Sequence, residues 1–326
     1  MRRLEVQVDT FPIRGAFTIS RGSKTKAEVI TVRLCEGAAT GWAESVPYGR
    51  YGETLESVAA QIEAIRPRLE AGCTRAEVGR LLPAGAARNA VDCALWDLEA
   101  RQNGVPVWEL AGLQEPRPVT TAYTLSLGTP EAMAEAARRA PGTDLLKLKL
   151  GGEQDLNRLR AVREAAPHAR LIVDANEGWD FDTLERLAPR CAELGVVLIE
   201  QPLPATADQV LTRGRYPVSI CADESCHTAA DIDRLADRYD AVNIKLDKTG
   251  GLTEALHTLE RARSHDMTIM VGCMVGSSLA MAPAVLLTPY ATFVDLDGPL
   301  LLDADRTPSL CYQRGQIIPD RTGLWG

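Results

Sequence analysis

The stretch Asp144-Leu-Leu-Lys-Leu-Lys-Leu150 decides how the rest of the chain is read. Side chains on a strand alternate between faces, so Lys147 and Lys149 share one face while Leu146, Leu148 and Leu150 share the other. Single polar residues then close four further apolar runs: Asp174 in LIVDAN, Glu200 in VVLIEQP, Asp223 in ICADE and Lys245 in VNIKLD. Counted from Lys149 through 174, 200, 223 and 245, the intervals are 25, 26, 23 and 22 residues. Each is about the length of one strand, one helix and two short loops. A chain that repeats this unit builds a parallel sheet with a polar side chain at each strand end.

Working outward, strand candidates cover 119–125, 144–150, 170–175, 196–200, 218–222, 241–246, 268–272 and 292–296. Amphipathic helix patterns at 130–140, 182–194 and 252–265 lie between them, most opening near a Thr, Asp or Pro start signal. Eight strands joined in this way close into a (β/α)8-type barrel more readily than they form an open sheet. Val173, Ile199, Ile244, Val294 and Leu296 alternate with the polar positions and suit packing under outer helices. The polar members then face the barrel axis at the C-terminal strand ends, where barrel enzymes place their chemistry. Residues before 118 lack the repeat. Segments 4–8 and 29–34 alternate like antiparallel strands, and 54–69 and 86–101 carry helical periodicity. The reading is an α/β protein: an α+β domain over 1–117, a catalytic barrel over 118–304, and a segment 305–326 that returns to complete the first domain.

With 326 residues, 45% of them hydrophobic and 25% charged, the chain has ample material for a globular core. A net charge of −8 argues against nucleic acid or an anionic membrane as the main partner. No signal-peptide pattern and no apolar run of about 20 residues is present, so a cytoplasmic location is expected. The eight cysteines are scattered, and all are expected to be reduced.

Asp174, Glu200 and Asp223 come from consecutive strands, and a barrel brings them to one rim. Crowded carboxylates repel, and a hard divalent cation relieves the repulsion; all-oxygen ligation favours Mg²⁺ or Mn²⁺ over zinc. A buried amine beside another cation is expected to have a lowered pKa, towards the range of a general base. Lys245, four strands on from Lys149, approaches from across the mouth, so a carbon held between the two meets a base on each face. Asp295 and Asp297 share a face at the end of the eighth strand and form an anionic clamp for a cation, a substrate ammonium group being the first candidate and a second metal site or a solvated loop the alternatives. In the first domain, Arg14 and Arg21 flank 16–20, and the glycine-rich 47–53 could fold over the mouth.

LKLKL, VDAN, IEQP, ADES and NIKLDKTGG, together with AVDCALWDLEARQNGVPVWELAG in the first domain, resemble the enolase superfamily in its muconate-lactonizing subgroup. The resemblance implies a capping α+β domain on a modified (β/α)7β TIM-like barrel. It also implies Mg²⁺ stabilising an enediolate formed by proton removal next to a carboxylate. FTISRG (17–22), VPYGRYGET (46–54) and DLDG (295–298) resemble the dipeptide epimerases, particularly those acting on L-Ala-D/L-Glu. By that resemblance Lys149 and Lys245 exchange the α-proton, and Asp174, Glu200 and Asp223 hold the metal. Lys147 contacts the substrate carboxylate and keeps its neighbour's pKa low, Asp295 and Asp297 take the N-terminal ammonium, Arg21 takes the side-chain carboxylate, and Thr124 lines the pocket. The implied activity is an isomerase that epimerises a small acidic dipeptide, of the kind released in murein peptide breakdown, at its C-terminal α-carbon; a homo-oligomer is implied by analogy. The alternatives are a cycloisomerase or syn-dehydratase of the same subgroup (muconate lactonization or o-succinylbenzoate synthesis) and a non-catalytic ligand-binding paralogue.

Overall fold

The computed structural model describes residues 1–140, 142, 144–319 and 323–326. The chain opens with an antiparallel meander of β1 (Arg3–Ile19), β2 (Gly22–Glu36) and β3 (Ala39–Ser45). The β1–β2 hairpin runs well past the segments that the sequence pattern marks. Its far half, residues 21–26, is exposed on both faces, so no alternation announces it. A register shift between Pro12 and Phe17 bends this half, and Ser20 and Arg21 form its tip.

Four helices and a fifth short turn of helix follow. α1 (Leu55–Ala64) starts from a Thr54–Ser57 capping box, and the pattern read as one helix over 54–69 breaks at Ile65. Pro67 has no N–H to continue the ladder and instead sits in the first turn of α2 (Arg66–Glu70). After α3 (Arg75–Leu81), α4 (Ala86–Asn103) is buried on nearly every side, and Gly104 in the left-handed conformation ends it before α5 (Val107–Leu110). Gly41 on β3 permits the close approach of α4, since a Cβ there would lie 2.3 Å from Ala94 O.

β4 (Val119–Thr120) leaves the cap, and the barrel begins. Its strands, all parallel and in sequence order, are β5 (Tyr123–Leu125), β6 (Leu145–Lys149), β7 (Arg170–Asp174), β8 (Val196–Glu200), β9 (Ser219–Ala222), β10 (Ala241–Ile244), β11 (Thr268–Gly272) and β12 (Phe293–Asp295). Ala122 N donates to Val294 O at 2.8 Å and joins the first strand to the last. The crossovers are α6 (Pro130–Arg138), α7 (Asp155–Ala165), α8 (Phe181–Glu193), α9 (Ala229–Leu235), a short α10 (Leu246–Thr249) running into α11 (Leu252–Ser264), and α12 (Ser278–Val285). Between β8 and β9 the described residues form only a 3-10 turn, Asp208–Val210. This is the (β/α)7β arrangement with one helix reduced to a turn.

The strand expected over 119–125 is two elements. β4 pairs with β14 (Gln316–Ile318), itself paired to β13 (Cys311–Gln313), while β5 belongs to the barrel. Between them Thr121 is buried, and its hydroxyl oxygen accepts from Leu296 N at 2.9 Å. The alternation behaves as the pattern requires. Ala122, Leu145, Ile172, Leu198, Cys221, Ala241, Met270 and Phe293, one at each strand, fill the barrel interior below the mouth. Val173, Ile199, Ile244, Val294 and Leu296 point the other way, into the core beneath the helices.

The chain end returns to the cap: Leu324 O accepts from Trp42 Nε1 at 2.6 Å, and Gly326 N donates to Asp97 Oδ1 at 2.8 Å. Residues 320–322 of the returning segment lie outside the described residues. All eight cysteines are free, and no described helix is long and apolar enough to cross a membrane.

Candidate active site

Strand register lines up the polar residues at the barrel mouth. Lys149 pairs in register with Asp174, and Asp174 with Glu200. Asp223 and Lys245 sit just beyond β9 and β10, and Asp295 ends β12. Lys147, with its side chain 1% exposed, is the hub: its Nζ stands 2.7 Å from Asp295 Oδ2, 2.7 Å from Glu200 Oε2 and 3.1 Å from Asp174 Oδ2. Lys149 Nζ donates to Asp174 Oδ2 and Lys245 Nζ to Asp223 Oδ2, each at 2.6 Å. Asn243 Nδ2 donates to Glu200 Oε1 at 2.8 Å, and Thr124 N to Asp297 Oδ2 at 2.6 Å.

Electrostatics here follow the nearest partner, and that corrects one expectation. Lys147 does press Lys245 towards neutrality, but the carboxylates around the two amines outweigh that effect. Burial opposes the charge of Lys147, but Asp295, Glu200 and Asp174 together raise its pKa well above that of a free lysine. For Lys245 burial again opposes the charge, and Asp223 and Glu200 raise the pKa more than Lys147 lowers it. Lys147 and Lys245 each lie against carboxylates that outweigh the neighbouring cation, so both are held as ammonium groups. Among the acids, burial pushes against ionisation at Asp174, yet Lys149 and Lys147 carry it down to about 2. Glu200 goes the other way, to about 7, through burial and the charge of Asp174. Asp297 is likewise raised to about 7 by burial and by Asp295.

The three carboxylates expected to hold a metal reach one rim, but each is turned onto a lysine. Among the described residues no three Asp, Glu, His or Cys side chains converge as a metal site. Their chemistry nonetheless suits a hard cation. Asn176 Oδ1, Glu200 Oε2, Glu224 Oε2 and Asp295 Oδ1 are buried oxygens without a hydrogen-bond partner; Lys147 lies close to Glu200 Oε2 but outside hydrogen-bond geometry. Unpaired buried acceptors are costly, and a cation at this mouth would compensate them.

A cavity of about 660 Å³ opens above these groups. Lys149, Asn176, Asp223, Glu224 and Lys245 line it from the barrel, and Arg21, Lys24, Tyr48, Arg50 and Tyr51 from the cap. The glycine-rich 47–53 segment does lie over the mouth. Arg50 makes a two-pronged pair with Glu177 at 2.7 and 2.8 Å, and the Tyr51 ring meets His227 edge-on at 4.5 Å. The hairpin tip docks beside it, because Gly151, at φ 140°, has no Cβ to collide with Ser20. Arg21 thereby reaches Asn176 O at 2.6 Å, Glu224 Oε1 at 2.7 Å and Tyr48 OH at 3.1 Å. Arg14 is exposed and lines a separate cavity of about 270 Å³ with Phe17 and Thr124. Asn176, Glu177 and Gln201 all have positive φ, which places backbone strain at the strand ends of the site.

Four residues here escape a reading of the motifs alone. Gln201 Oε1 accepts from Asp223 N at 2.8 Å and Ser225 N at 3.1 Å, fixing the turn that carries Asp223. Glu224 faces Arg21. Lys248 contacts Asp223 from below, and its spacing of three after Lys245 was the available signal. Lys24 is the fourth. Of the cations lining the cavity, Arg21 pairs with Glu177 and Glu224, Lys26 with Glu28, Arg50 with Glu177, Lys149 with Asp174 and Lys245 with Asp223. Lys24 has no ion-pair partner among the described residues and rests 5.3 Å from the Tyr48 ring centroid.

Comparison with known proteins adds relatives to this geometry. The pattern described as "Mandelate racemase / muconate lactonizing enzyme, N-terminal domain" matches residues 1–112, and "Enolase C-terminal domain-like" matches 131–324. The L-Ala-D/L-Glu epimerase of Escherichia coli is 47% identical, over 97% of this chain and 99% of its own. An N-acetyl-D-glutamate racemase from a Pseudoalteromonas species is 48% identical, over 91% and 95%. Among solved structures, an Agrobacterium tumefaciens enolase-family protein with homology to dipeptide epimerases, holding sodium and L-Ala-L-Glu, superposes with a TM-score of 0.97 at 52% identity, covering all of both chains. A Cytophaga hutchinsonii dipeptide epimerase with Mg and D-Ala-L-Val gives 0.93 at 27% identity, over 100% of this chain and 95% of that one.

Proposed function

The chain belongs to the mandelate racemase / muconate lactonizing enzyme family, and from that premise we propose that it is a Mg²⁺-dependent dipeptide epimerase acting on L-Ala-D/L-Glu. The observation that carries the proposal is a pair of buried lysines on opposite walls of one cavity. Lys149 ends β6 and Lys245 follows β10, four strands apart in a ring of eight, and both line the same space. A carbon between them can lose a proton to one amine and gain one from the other, so the configuration inverts. One amine must then be neutral while its opposite is charged, and the roles exchange with the epimer.

Asp174, Glu200 and Asp223 would hold Mg²⁺, which when bound supplies the positive charge that makes a proton beside a carboxylate acidic enough to remove. Lys149 and Lys245 donate to Asp174 and Asp223, the carboxylates that would hold the cation, so their charge state would depend on how these oxygens are divided. Lys147, fixed by three carboxylates, adds a positive charge to the floor where the substrate carboxylate would lie. Asp295 and Asp297 offer the N-terminal ammonium an acceptor, Asp295 Oδ1, that has no hydrogen-bond partner among the described residues. Thr124 holds Asp297 in place through its backbone N–H. For the distal carboxylate, Arg21 would have to exchange an acidic partner, whereas Lys24 can accept it without breaking a pair. The hairpin tip and the 47–53 turn exclude water. The same reading places the protein in the cytoplasm, where its free thiols stay reduced.

Incubating the protein with L-Ala-L-Glu and Mg²⁺ in D₂O should yield L-Ala-D-Glu and deuterium at the glutamyl α-carbon; unchanged peptide without exchange would refute the proposal. A second reading has a specific motive. Asp295 Oδ2 is taken by Lys147 and Asp297 Oδ2 by Thr124 N, which leaves one oxygen on each carboxylate, and Asp295 Oδ1 alone suffices for a single amide N–H as in N-acetylglutamate. Comparing kcat/KM for L-Ala-L-Glu and N-acetyl-L-glutamate under the same conditions decides between them.

A further inference from the structure

α10 is a single helical turn gripped from two sides. From the cap, Val46 N and Asn89 Nδ2 donate to Asp247 Oδ1 at 2.9 and 2.8 Å, and Arg88 donates to Thr249 O and Gly250 O at 2.6 and 3.1 Å. From the barrel, Lys248 reaches inward. Its side chain is 0% exposed, and its ammonium donates to Asp223 O at 2.5 Å, Asp223 Oδ1 at 2.6 Å and Asn243 O at 3.0 Å. An ammonium has three N–H groups, and here all three are used. Asp223 is thereby held at its carbonyl and at one carboxylate oxygen, while Gln201 holds its N–H and Lys245 meets its other oxygen, Oδ2.

We propose that Lys248 is a positioning residue for the reaction: it pins Asp223 so that Oδ2 alone is presented to the barrel mouth. Lys248 touches neither the cavity nor the reacting carbon and acts through Asp223. Because α10 begins immediately after Lys245, the same turn that orients one proton-transfer lysine also locks the carboxylate beside it. The inference rests on the reading of Asp223 as a metal ligand.

Manganese binding to the full chain, followed by the resonance of free Mn²⁺, tests it without reference to turnover. Lys248→Met should weaken Mn²⁺ binding by about 10–100-fold, the usual effect of losing a group that orients a ligand. It should also lower kcat on L-Ala-L-Glu at saturating Mn²⁺ with KM little changed. Lys248→Arg, which keeps the charge but spreads its donors over a plane, should be impaired in the same direction. A role through charge alone predicts the opposite pattern, since removing a positive charge beside a carboxylate draws a divalent cation more tightly while Arg leaves it unchanged. In an Asp223→Asn background, Lys248→Met should have less than about a two-fold further effect, because the two act as a unit. Unchanged or tighter binding in Lys248→Met, or additive effects in the double variant, would overturn the proposal. Should Lys248→Met fail to melt cooperatively, Lys248→Arg carries the same comparison. If Asp223→Asn itself binds Mn²⁺ like the parent, it is the ligand assignment that falls.

Discussion

The seam between cap and barrel and the mouth of the barrel are both built from buried charge, yet they are finished differently. At the seam each acid is closed by a backbone N–H together with side-chain donors. Glu44 accepts from Ser277 N at 2.7 Å, from the Ser277 hydroxyl and from Arg306 Nε at 2.8 Å; Asp92 accepts from Thr253 N and Oγ1; Asp247 accepts from Val46 N and Asn89. At the mouth, Asp174, Glu200, Asp223, Glu224 and Asp295 pair with Lys147, Lys149, Lys245, Lys248 and Arg21, and Asp297 has no ion-pair partner among the described residues. Of the six buried side-chain atoms without a hydrogen-bond partner among the described residues, five are there, and the sixth is Ser45 Oγ. Polar groups that join domains are saturated, and those that await a ligand are left open.

The sharpest way to break the contrast is to remove a base. Lys149→Met or Lys245→Met should lower epimerisation by about 10²–10⁴-fold. The melting temperature should hold or rise, since a site kept open for ligands is not optimised for stability. Each variant should still exchange the α-proton of the one epimer that faces its surviving lysine. Exchange of both epimers by either variant would refute the two-base assignment.

At the seam the same kind of deletion should act on stability. Glu44→Ala leaves Ser277 N and the Ser277 hydroxyl without their acceptor and Arg306 with Asp9 as its one acidic partner, and should cost about 1–3 kcal/mol of unfolding free energy by denaturant titration. Turnover well below the melting temperature should be retained. Loss of kcat without loss of stability would place Glu44 with the mouth instead.

A smaller effect separates the two regions by pH. Burial raises Asp247 from 3.8 to about 7. An acid with a raised folded-state pKa contributes stability that is fully present below about 3.8 and is lost as pH rises through about 7. Asp247→Asn keeps an acceptor for Val46 N and cannot ionise. Relative to the parent it should therefore gain about 1–2 kcal/mol between pH 5 and 8, read as a rise of a few degrees in Tm. A pH-independent difference would contradict the assignment. The smallest expected change is at the rim. Lys24→Met should lower kcat/KM for L-Ala-L-Glu by about ten-fold, the scale of one partly exposed charged hydrogen bond, and leave L-Ala-L-Ala within about two-fold.

Much of the barrel was legible because its signals are local. Strand periodicity put Lys147, Lys149, Asp174 and Glu200 on the inner face, and all four are there. Other elements were illegible for physical reasons. The outer half of the β1–β2 hairpin has two exposed faces and so no alternating pattern, although it carries Arg21 and Lys24 to the mouth. The break at Ile65 depends on one proline, and β4 separates from β5 where the buried Thr121 hydroxyl accepts from Leu296 N across the barrel closure.

The sequence by itself determined the residue types, their faces and the order in which they meet the rim, because a two-residue period and strand-helix spacing are properties of neighbouring residues. Only the tertiary structure decided who pairs with whom. Lys147 reads as a cation beside another cation in the chain. In three dimensions it is surrounded by Asp295, Glu200 and Asp174, and its charge is stabilised. Electrostatic interaction depends on distance in space, and residues 148 positions apart in the chain stand 2.7 Å apart in the fold.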